Sequence, residues 1–111
     1  IYFQLYAQHR SHLHRLTHDE VWCWHEGGEA HIHEIDVQGA YHVHRLGPGA
    51  DYAVVIPAGS WFGATVTEPY VLVSAIVAPG FDFSDFELAD REELLARHPV
   101  HRSIIERLTM P

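Results

Sequence analysis

Histidine and carboxylate side chains are concentrated in one short stretch of the chain, SHLHRLTHDE, from Ser11 to Glu20. On a β-strand His12 and His14 share a face, because side chains alternate with a period of two. Two imidazoles with the carboxylate of Glu20 from the next strand form a ligand set for one Fe, Mn, Ni or Zn ion. The stretch therefore predicts a metal site of His12, His14 and Glu20, or else polar side chains lining a water-filled mouth.

The same stretch also suits acid–base chemistry without a metal. His14 can act as a base if Asp19 or Glu20 fixes its tautomer. Arg15 can hold an anionic substrate group through its planar guanidinium, although a salt bridge to Asp19 or Glu20 explains it equally well. We take His14, Glu20 and Arg15 as the predicted catalytic residues.

Aromatic residues supply a predicted substrate-binding wall. Trp22, Trp61 and Phe62 are assigned to this wall, and Trp61 is suited to stacking on a sugar ring. The alternative is that these rings only pack in the core and the strand walls. A tyrosine, Tyr52 or Tyr70, is a further candidate acid.

Four more histidines flank Gln38-Gly39, which we read as a two-residue hairpin turn because Gly supplies a positive φ. This turn would place His33 opposite His44, with His31 and His42 on the same face. Four imidazoles there could bind zinc or respond to pH, but a solvated polar face is the simpler interpretation.

The elements that must position these residues are mostly short strands separated by Gly and Pro, which predicts an all-β sandwich or barrel. Asp90 and Glu93 form a capping box for a helix that ends before Pro99, and a second helix is expected near 102–108. We predict one domain, with a barrel over 1–79 and an acidic, aromatic loop and covering helices over 80–111. The predicted strands are 1–6, 11–16, 20–24, 29–37, 40–46, 52–56, 61–67 and 70–78.

The charge and the cysteine content of the chain limit the classes of partner and the cellular compartment that we expect. The 111 residues include 15 acidic and seven basic residues and carry a formal charge of −8, the opposite of the balance that nucleic acids select. The apolar runs are too short to cross a membrane. A single cysteine, Cys23, excludes an internal disulfide and suits the cytoplasm. The chain opens in strand-like sequence without Met, so we expect a preceding segment.

Two motifs resemble those of the cupin superfamily. His12-Leu13-His14, Glu20 and, after six further residues, Gly27 match the first cupin motif, although the gap before Glu20 is slightly long. Pro57-Ala58-Gly59 matches the start of the second motif. Phe62 occupies the position of that motif's metal-binding histidine, and an aromatic ring cannot coordinate a metal.

Over nearly its whole length the chain resembles the compact cupin family five. The resemblance implies a cupin jelly-roll β-barrel with short C-terminal helices, commonly a homodimer, similar in shape to sugar-nucleotide epimerases and seed storage proteins. Members usually carry a further N-terminal segment. The matching stretches are Ile1-Tyr2-Phe3, Ser11, His14-Arg15, Asp19-Glu20-Val21-Trp22, Leu46-Gly47, Pro57-Ala58-Gly59, Trp61, 77–83, 85–87 and Leu108-Thr109.

Two functions follow as hypotheses. The first is a small-molecule enzyme of isomerase or epimerase type, acting on a sugar-like or acidic substrate with His14, Glu20 and Arg15. The second is a binding module that is non-catalytic or holds a divalent metal through His12, His14 and Glu20. In both, the partners are a small molecule and a second copy of the chain. We expect His14→Ala to abolish either function and His12→Ala to matter chiefly if a metal is bound.

Overall fold

The computed structural model describes residues 2–6, 10–67, 69–78, 80 and 82–111. Ile1 of the first predicted strand, and Pro79 and Phe81 of the family-like stretch, lie outside these residues. Two short 3-10 turns, Phe83–Asp85 and Pro99–His101, accompany the regular elements. Within the described ranges these elements are β1 Tyr2–Tyr6, β2 Ser11–Leu16, β3 Glu20–Gly27, β4 Ala30–Ile35, β5 Tyr41–Leu46, β6 Ala53–Ile56, β7 Trp61–Val66, β8 Tyr70–Val77, β9 Phe86–Leu88, α1 Arg91–Arg97 and α2 Arg102–Arg107.

The strands form two antiparallel sheets that face each other. The four-stranded sheet has the order β1-β8-β3-β6, and the five-stranded sheet has the order β5-β4-β7-β2-β9. Strands that follow each other in sequence mostly lie in different sheets, as in a jelly roll. The predicted all-β jelly-roll fold is confirmed, in the form of a sandwich of two sheets and not of one closed barrel.

The five-stranded sheet is covered on both faces. Its inner face packs against the four-stranded sheet through side chains such as Leu16, Ile32 and Phe62. Its outer face packs against α1 and α2, in an outer cluster of Leu13, Ile35, Trp61, Leu94, Ile104, Ile105 and Leu108. Every residue of the central strand β7 is consequently buried. Sequence-adjacent residues on this sheet, such as Trp61 and Phe62, therefore belong to different environments.

The C-terminal segment covers the outer face of the five-stranded sheet with its helices and extends the sheet with a strand. The side chain of Asp90 accepts a hydrogen bond from the backbone N–H of Glu93, so the predicted helix cap is confirmed. Ahead of it, β9 pairs with the edge strand β2. The helices lie over the outer face of the sheet. Among the described residues, no helix has the length and apolar character needed to cross a membrane.

The predicted two-residue hairpin between β4 and β5 is wrong. The turn runs from Asp36 to Ala40, because an oxygen of the Asp36 carboxylate accepts hydrogen bonds from the N–H groups of Gln38 and Ala40. The resulting register pairs His33 with Val43 and Ile32 with His44. The four histidines are thereby divided between the two faces of the sheet.

Candidate functional site between the sheets

His14 lies on the inner face of β2 between two phenylalanines. Its ring centroid is 4.3 Å from that of Phe62 and 5.3 Å from that of Phe86. Its Nδ1 lies 2.8 Å from the carbonyl oxygen of His12. A carbonyl only accepts, so Nδ1 carries the proton and the neutral ring presents Nε2 as an acceptor. Burial lowers the pKa of His14, against a smaller opposing effect of that hydrogen bond, and so favours this neutral form.

Glu20 begins β3 and faces the space between the sheets from the other side. It is paired with Ile56 on one neighbouring strand and Val77 on the other, and its side chain is buried. The indole N–H of Trp22 donates a hydrogen bond to its carboxyl group. Burial raises the pKa of Glu20, and the Trp22 hydrogen bond only partly opposes this effect. The environment therefore favours a proton on Glu20.

Aromatic rings connect these two groups across the sandwich. Trp22 meets Phe62 edge-on, with their ring centroids 6.4 Å apart, and Phe62 in turn contacts His14. Both Trp22 and Phe62 are almost completely buried. We call His14, Glu20, Trp22 and Phe62 the inter-sheet site. In this site burial favours the neutral form of the His14 imidazole and the protonated form of the Glu20 carboxyl group. The aromatic rings around them exclude water, which strengthens electrostatic interactions.

Two predicted site residues lie on the opposite face of the five-stranded sheet. The Arg15 guanidinium stacks over the Trp61 ring at 4.4 Å from its centroid and forms an ion pair with Glu87 at 2.7 Å. Trp61 itself belongs to the outer cluster. The salt bridge that the sequence suggested for Arg15 thus exists, with Glu87 in place of Asp19 or Glu20. The structure does not bring Arg15 and Trp61 into the inter-sheet site.

A β-bulge alters the predicted relation between His12 and His14. Ser11 pairs with Ala64 and His14 with Phe62, so β2 has one residue more than β7 over this interval. Strict alternation therefore does not hold between His12 and His14. The contact that the structure records between them joins the His14 ring to the His12 backbone carbonyl.

The described residues do not fit the predicted metal centre. Among them, no group of three or more His, Cys, Asp or Glu side chains is arranged to hold a metal ion. The Glu20 carboxyl group accepts a hydrogen bond from the Trp22 indole in an environment that favours its protonated form, and Phe62 fills the remaining cupin ligand position.

Sequence reasoning missed a polar group beside the site. Phe62 pairs with His14 on one side and with Glu34 on the other, so Glu34 also faces the space between the sheets. Its buried carboxylate accepts hydrogen bonds from the Ser60 hydroxyl at 2.6 Å and from His44 Nε2 at 2.7 Å. The His-Ile-His-Glu run of β4 could have indicated this group. The predicted turn, however, pairs β4 with β5 in the wrong register, so His44 was not expected near Glu34.

The fold and the inter-sheet site define the class of this protein as a cupin. The family model named Cupin_5, described as "Cupin superfamily (DUF985)", matches residues 1–89. The chain belongs to this family, as its sequence motifs indicated.

Two solved structures are similar over almost the whole chain. A crystal structure of a protein from Shewanella oneidensis is 37% identical with a TM-score of 0.93, and the match covers 99% of this chain and 73% of that one. A hypothetical protein from Leishmania major is 32% identical with a TM-score of 0.92, over 99% and 74% of the two chains. No curated protein matches the chain.

A more distant similarity extends to a dTDP sugar isomerase from Desulfovibrio desulfuricans. It is 17% identical with a TM-score of 0.70, and the match covers 81% of this chain and 62% of that one. At this identity the similarity shows a common fold alone.

Proposed function

We propose that this cupin is an isomerase or epimerase that moves a proton next to a carbonyl group of a small sugar-like ligand. Two observations carry the proposal: His14 and Glu20 both face the space between the sheets, joined through the Phe62 and Trp22 rings, and burial shifts their pKa values in opposite directions. Groups whose environments favour a neutral base and a protonated acid are the pair that such a reaction needs. That the same fold occurs in a sugar isomerase agrees with this choice of ligand class.

In the proposed reaction, His14 Nε2 accepts a proton from the carbon next to the ligand carbonyl. Glu20 donates its proton to the carbonyl oxygen, so that a neutral enediol forms in place of a charged enediolate. The His14 imidazolium then returns the proton to the other carbon while the Glu20 carboxylate takes the proton of the neighbouring enediol hydroxyl, which gives the isomer and restores both side chains. For epimerisation the enediol must first turn over, so that the same imidazolium meets the other face of the same carbon. Phe62 and Trp22 would pack against the carbon skeleton of the ligand.

The polar group beside Phe62 supports a hydroxylated ligand. Glu34 is held by Ser60 and His44, so its carboxylate has a fixed orientation. A carboxylate accepts several hydrogen bonds at once, and sugar hydroxyls are donors. We assign Glu34 the role of a ligand-orienting residue within the proposal.

Deuterium incorporation tests the proposed function directly. The protein would be incubated in D₂O with a panel of aldoses, ketoses and keto-sugar nucleotides, and exchange at the carbon next to the carbonyl followed by proton NMR. We expect exchange with at least one ligand, reduced about 10²–10⁴-fold in both His14→Gln and Glu20→Gln. His25→Gln is the control, because His25 bonds Ser74 in the four-stranded sheet, outside the inter-sheet site.

The competing metal-binding function makes a different prediction for the same proteins. Elemental mass spectrometry before and after a mild chelator would find stoichiometric Fe, Mn, Ni or Zn, lost in His14→Gln, Glu20→Gln and His12→Ala. That result would replace the acid–base proposal. Exchange that is equal in the wild type and both site variants would contradict the acid–base proposal, and absence of a stoichiometric metal would contradict the metal-binding function.

We further propose that the protein is a homodimer of the cytoplasm, with the outer face of its four-stranded sheet as the interface. Val55, Val21 and Ile76 form one row across this face, since they are directly paired on β6, β3 and β8. Val55 and Ile76 are each more than half exposed. The half-buried thiol of Cys23 in the next row is the only cysteine of the chain, which suits a reducing compartment.

A further inference from the structure

A cavity lies between the five-stranded sheet and α2, on the opposite face of this sheet from the inter-sheet site. Its volume is about 230 Å³. This is smaller than the roughly 300–1,000 Å³ typical of sites for drug-sized molecules, so it suits a small metabolite. The residues that line it are His33, Tyr41, Val100, His101, Ser103, Ile104 and Arg107.

The charge of this cavity is opposite to that of the whole protein. The chain carries a formal charge of −8, yet none of the described residues that line the cavity is acidic, and Arg107 supplies a permanent positive charge. Arg10 adds a second cation nearby, since its Nη1 donates a hydrogen bond to the Arg107 carbonyl at 3.4 Å. A local positive potential on an acidic protein attracts anions to this place in particular.

Arg107 differs from most other arginines of the described chain in its partners. Four of them, at positions 15, 45, 97 and 102, form ion pairs with glutamates. Arg91 bonds Thr109 and the Glu106 carbonyl. Among the described residues, no carboxylate forms an ion pair with the Arg107 guanidinium. Its planar fork is therefore available for the oxyanion geometry that it matches best.

A chain of hydrogen bonds ends at the wall of the cavity. His33 is buried, with Nε2 3.0 Å from the Thr65 hydroxyl and Nδ1 2.7 Å from the Tyr41 hydroxyl. When Thr65 donates to Nε2, Nδ1–H donates to the Tyr41 oxygen, and the Tyr41 O–H is directed to a further acceptor. In this tautomer of the neutral His33 ring, Tyr41 can donate its O–H to a ligand in the cavity.

His101 offers a hydrogen-bond acceptor beside the donor Tyr41. Its Nε2 lies 2.8 Å from the carbonyl oxygen of Gly39, so Nε2 carries the proton and donates. In the neutral ring Nδ1 is then an acceptor, which a ligand hydroxyl can satisfy. The cavity thus offers a cation and a donor for an oxyanion, and an acceptor for a hydroxyl.

We propose that this cavity binds a small hydroxylated oxyanion, with the carboxylate or phosphate group on Arg107 and Tyr41 and a hydroxyl on His101. The site is separate from the inter-sheet site, and its occupation does not depend on the reaction proposed there. Val100 and Ile104 contribute an apolar side that fits a short carbon chain.

Isothermal titration calorimetry at low ionic strength tests the site with three probes: glycerate, glycerol 3-phosphate and inorganic phosphate. We expect one of the two hydroxylated probes to bind more tightly than inorganic phosphate, and the preferred probe identifies the oxyanion. Arg107→Gln should weaken this binding about tenfold or more, and Tyr41→Phe by a smaller factor. Arg97→Gln, which removes an exposed arginine of α1 that pairs with Glu93, should bind like the wild type.

Two further results decide the proposal. Binding should shift the NMR ring signals of His33 and His101, and it should persist in His14→Gln, which separates this site from the proposed isomerase site. Equal weakening by Arg97→Gln and Arg107→Gln would show a general charge effect and overturn the proposal. So would the absence of binding by all three probes at millimolar concentration.

Discussion

At the scale of single residues, the protonation state of Glu20 can be tested through the pH dependence of the free energy of unfolding. Because burial raises the pKa of Glu20, the folded state retains its proton to a higher pH than the unfolded state does. The stability contributed by this residue is complete below the ordinary pKa of 4.5, and it is lost as the pH rises through the folded-state value.

We therefore expect the stability of Glu20→Gln relative to the wild type to increase as the pH rises above about 4.5. The glutamine carbonyl can still accept the Trp22 hydrogen bond, so the fold is retained. Urea unfolding at several pH values measures the difference, with the exposed Glu92→Gln as the control. A difference between Glu20→Gln and the wild type that does not vary with pH would contradict a raised pKa.

The pKa of His33 is shifted downward, so this residue should destabilise the folded protein at acid pH. Burial, followed by the charges of Arg107 and His31, lowers the pKa of His33 from 6.5 to about 4. Between these pH values His33 is protonated in the unfolded chain but neutral in the folded protein. Stability is therefore lost as the pH falls from about 6.5 to about 4. For a side chain with only 7% exposure this corresponds to at most about 3 kcal/mol.

His33→Gln should remove this part of the acid sensitivity, since glutamine keeps a donor and an acceptor for Tyr41 and Thr65. The free energy of unfolding at pH 7 and pH 4.5 would be compared in the two proteins. We expect the variant to lose less stability on acidification than the wild type. Equal losses would show that His33 titrates normally in the folded protein.

At the scale of elements, the bulge in β2 depends on one glycine in the partner strand. A Cβ atom built on Gly63 would lie 2.5 Å from the Ser11 carbonyl oxygen and 3.2 Å from backbone atoms of His12 and Leu13. These are backbone atoms of a neighbouring strand and cannot move aside independently. The close approach of β2 and β7, and with it the placement of His14 beside Phe62, therefore requires glycine at this position.

Gly63→Ala should accordingly destabilise the protein by about 1–3 kcal/mol, the usual cost of overpacking a filled core. It should also weaken any activity of the inter-sheet site, because His14 follows the bulge. Thermal unfolding and the deuterium exchange assay give the two readouts. Thr67→Ala, which alters an exposed residue just beyond β7, is the control and should change neither. Unchanged stability in Gly63→Ala would contradict the tight approach of the strands.

The same scale explains which parts of the fold the sequence could reveal. Most strands and both helices were predicted, because Gly and Pro mark their ends and the Asp90 cap acts within three residues. The β4–β5 register was not, because it depends on the Asp36 side chain replacing ladder hydrogen bonds. Because the predicted register placed His44 opposite His33 and not opposite Ile32, it did not predict the hydrogen bond between His44 and Glu34.

The inter-sheet site was predicted only in part for a similar reason. His14, Glu20, Trp22 and Phe62 could be selected by residue type and motif. The separation of Arg15 from them follows from which face of β2 the helices cover, and that depends on packing between distant segments. The position of His12 depends on the bulge opposite Gly63. Neither relation is encoded within a short stretch of sequence.

At the scale of the whole molecule, the two sheets are covered unequally. The five-stranded sheet lies between the four-stranded sheet and the helices. On the outer face of the four-stranded sheet, by contrast, Tyr2, Val55 and Ile76 are 69%, 54% and 55% exposed. Beside the row of Val55, Val21 and Ile76, a second row across this face contains Ala53, Cys23, Ser74 and Tyr2. The exposed apolar side chains of Tyr2, Val55 and Ile76 thus lie together on one face, and such a patch is typical of an interaction surface.

A second copy of the chain is the occupant we propose for this patch, because a two-fold axis lets one apolar sheet face pack against itself. Ile76→Asp should therefore convert a dimer to a monomer in size-exclusion chromatography with light scattering, with its circular dichroism unchanged. Met110→Glu, at an exposed apolar residue of the C-terminus, should remain dimeric. A wild-type monomer at micromolar concentration would contradict the interface. So would a dimer unaffected by Ile76→Asp, since a charge on each copy would then be buried in a desolvated surface at a cost of several kcal/mol.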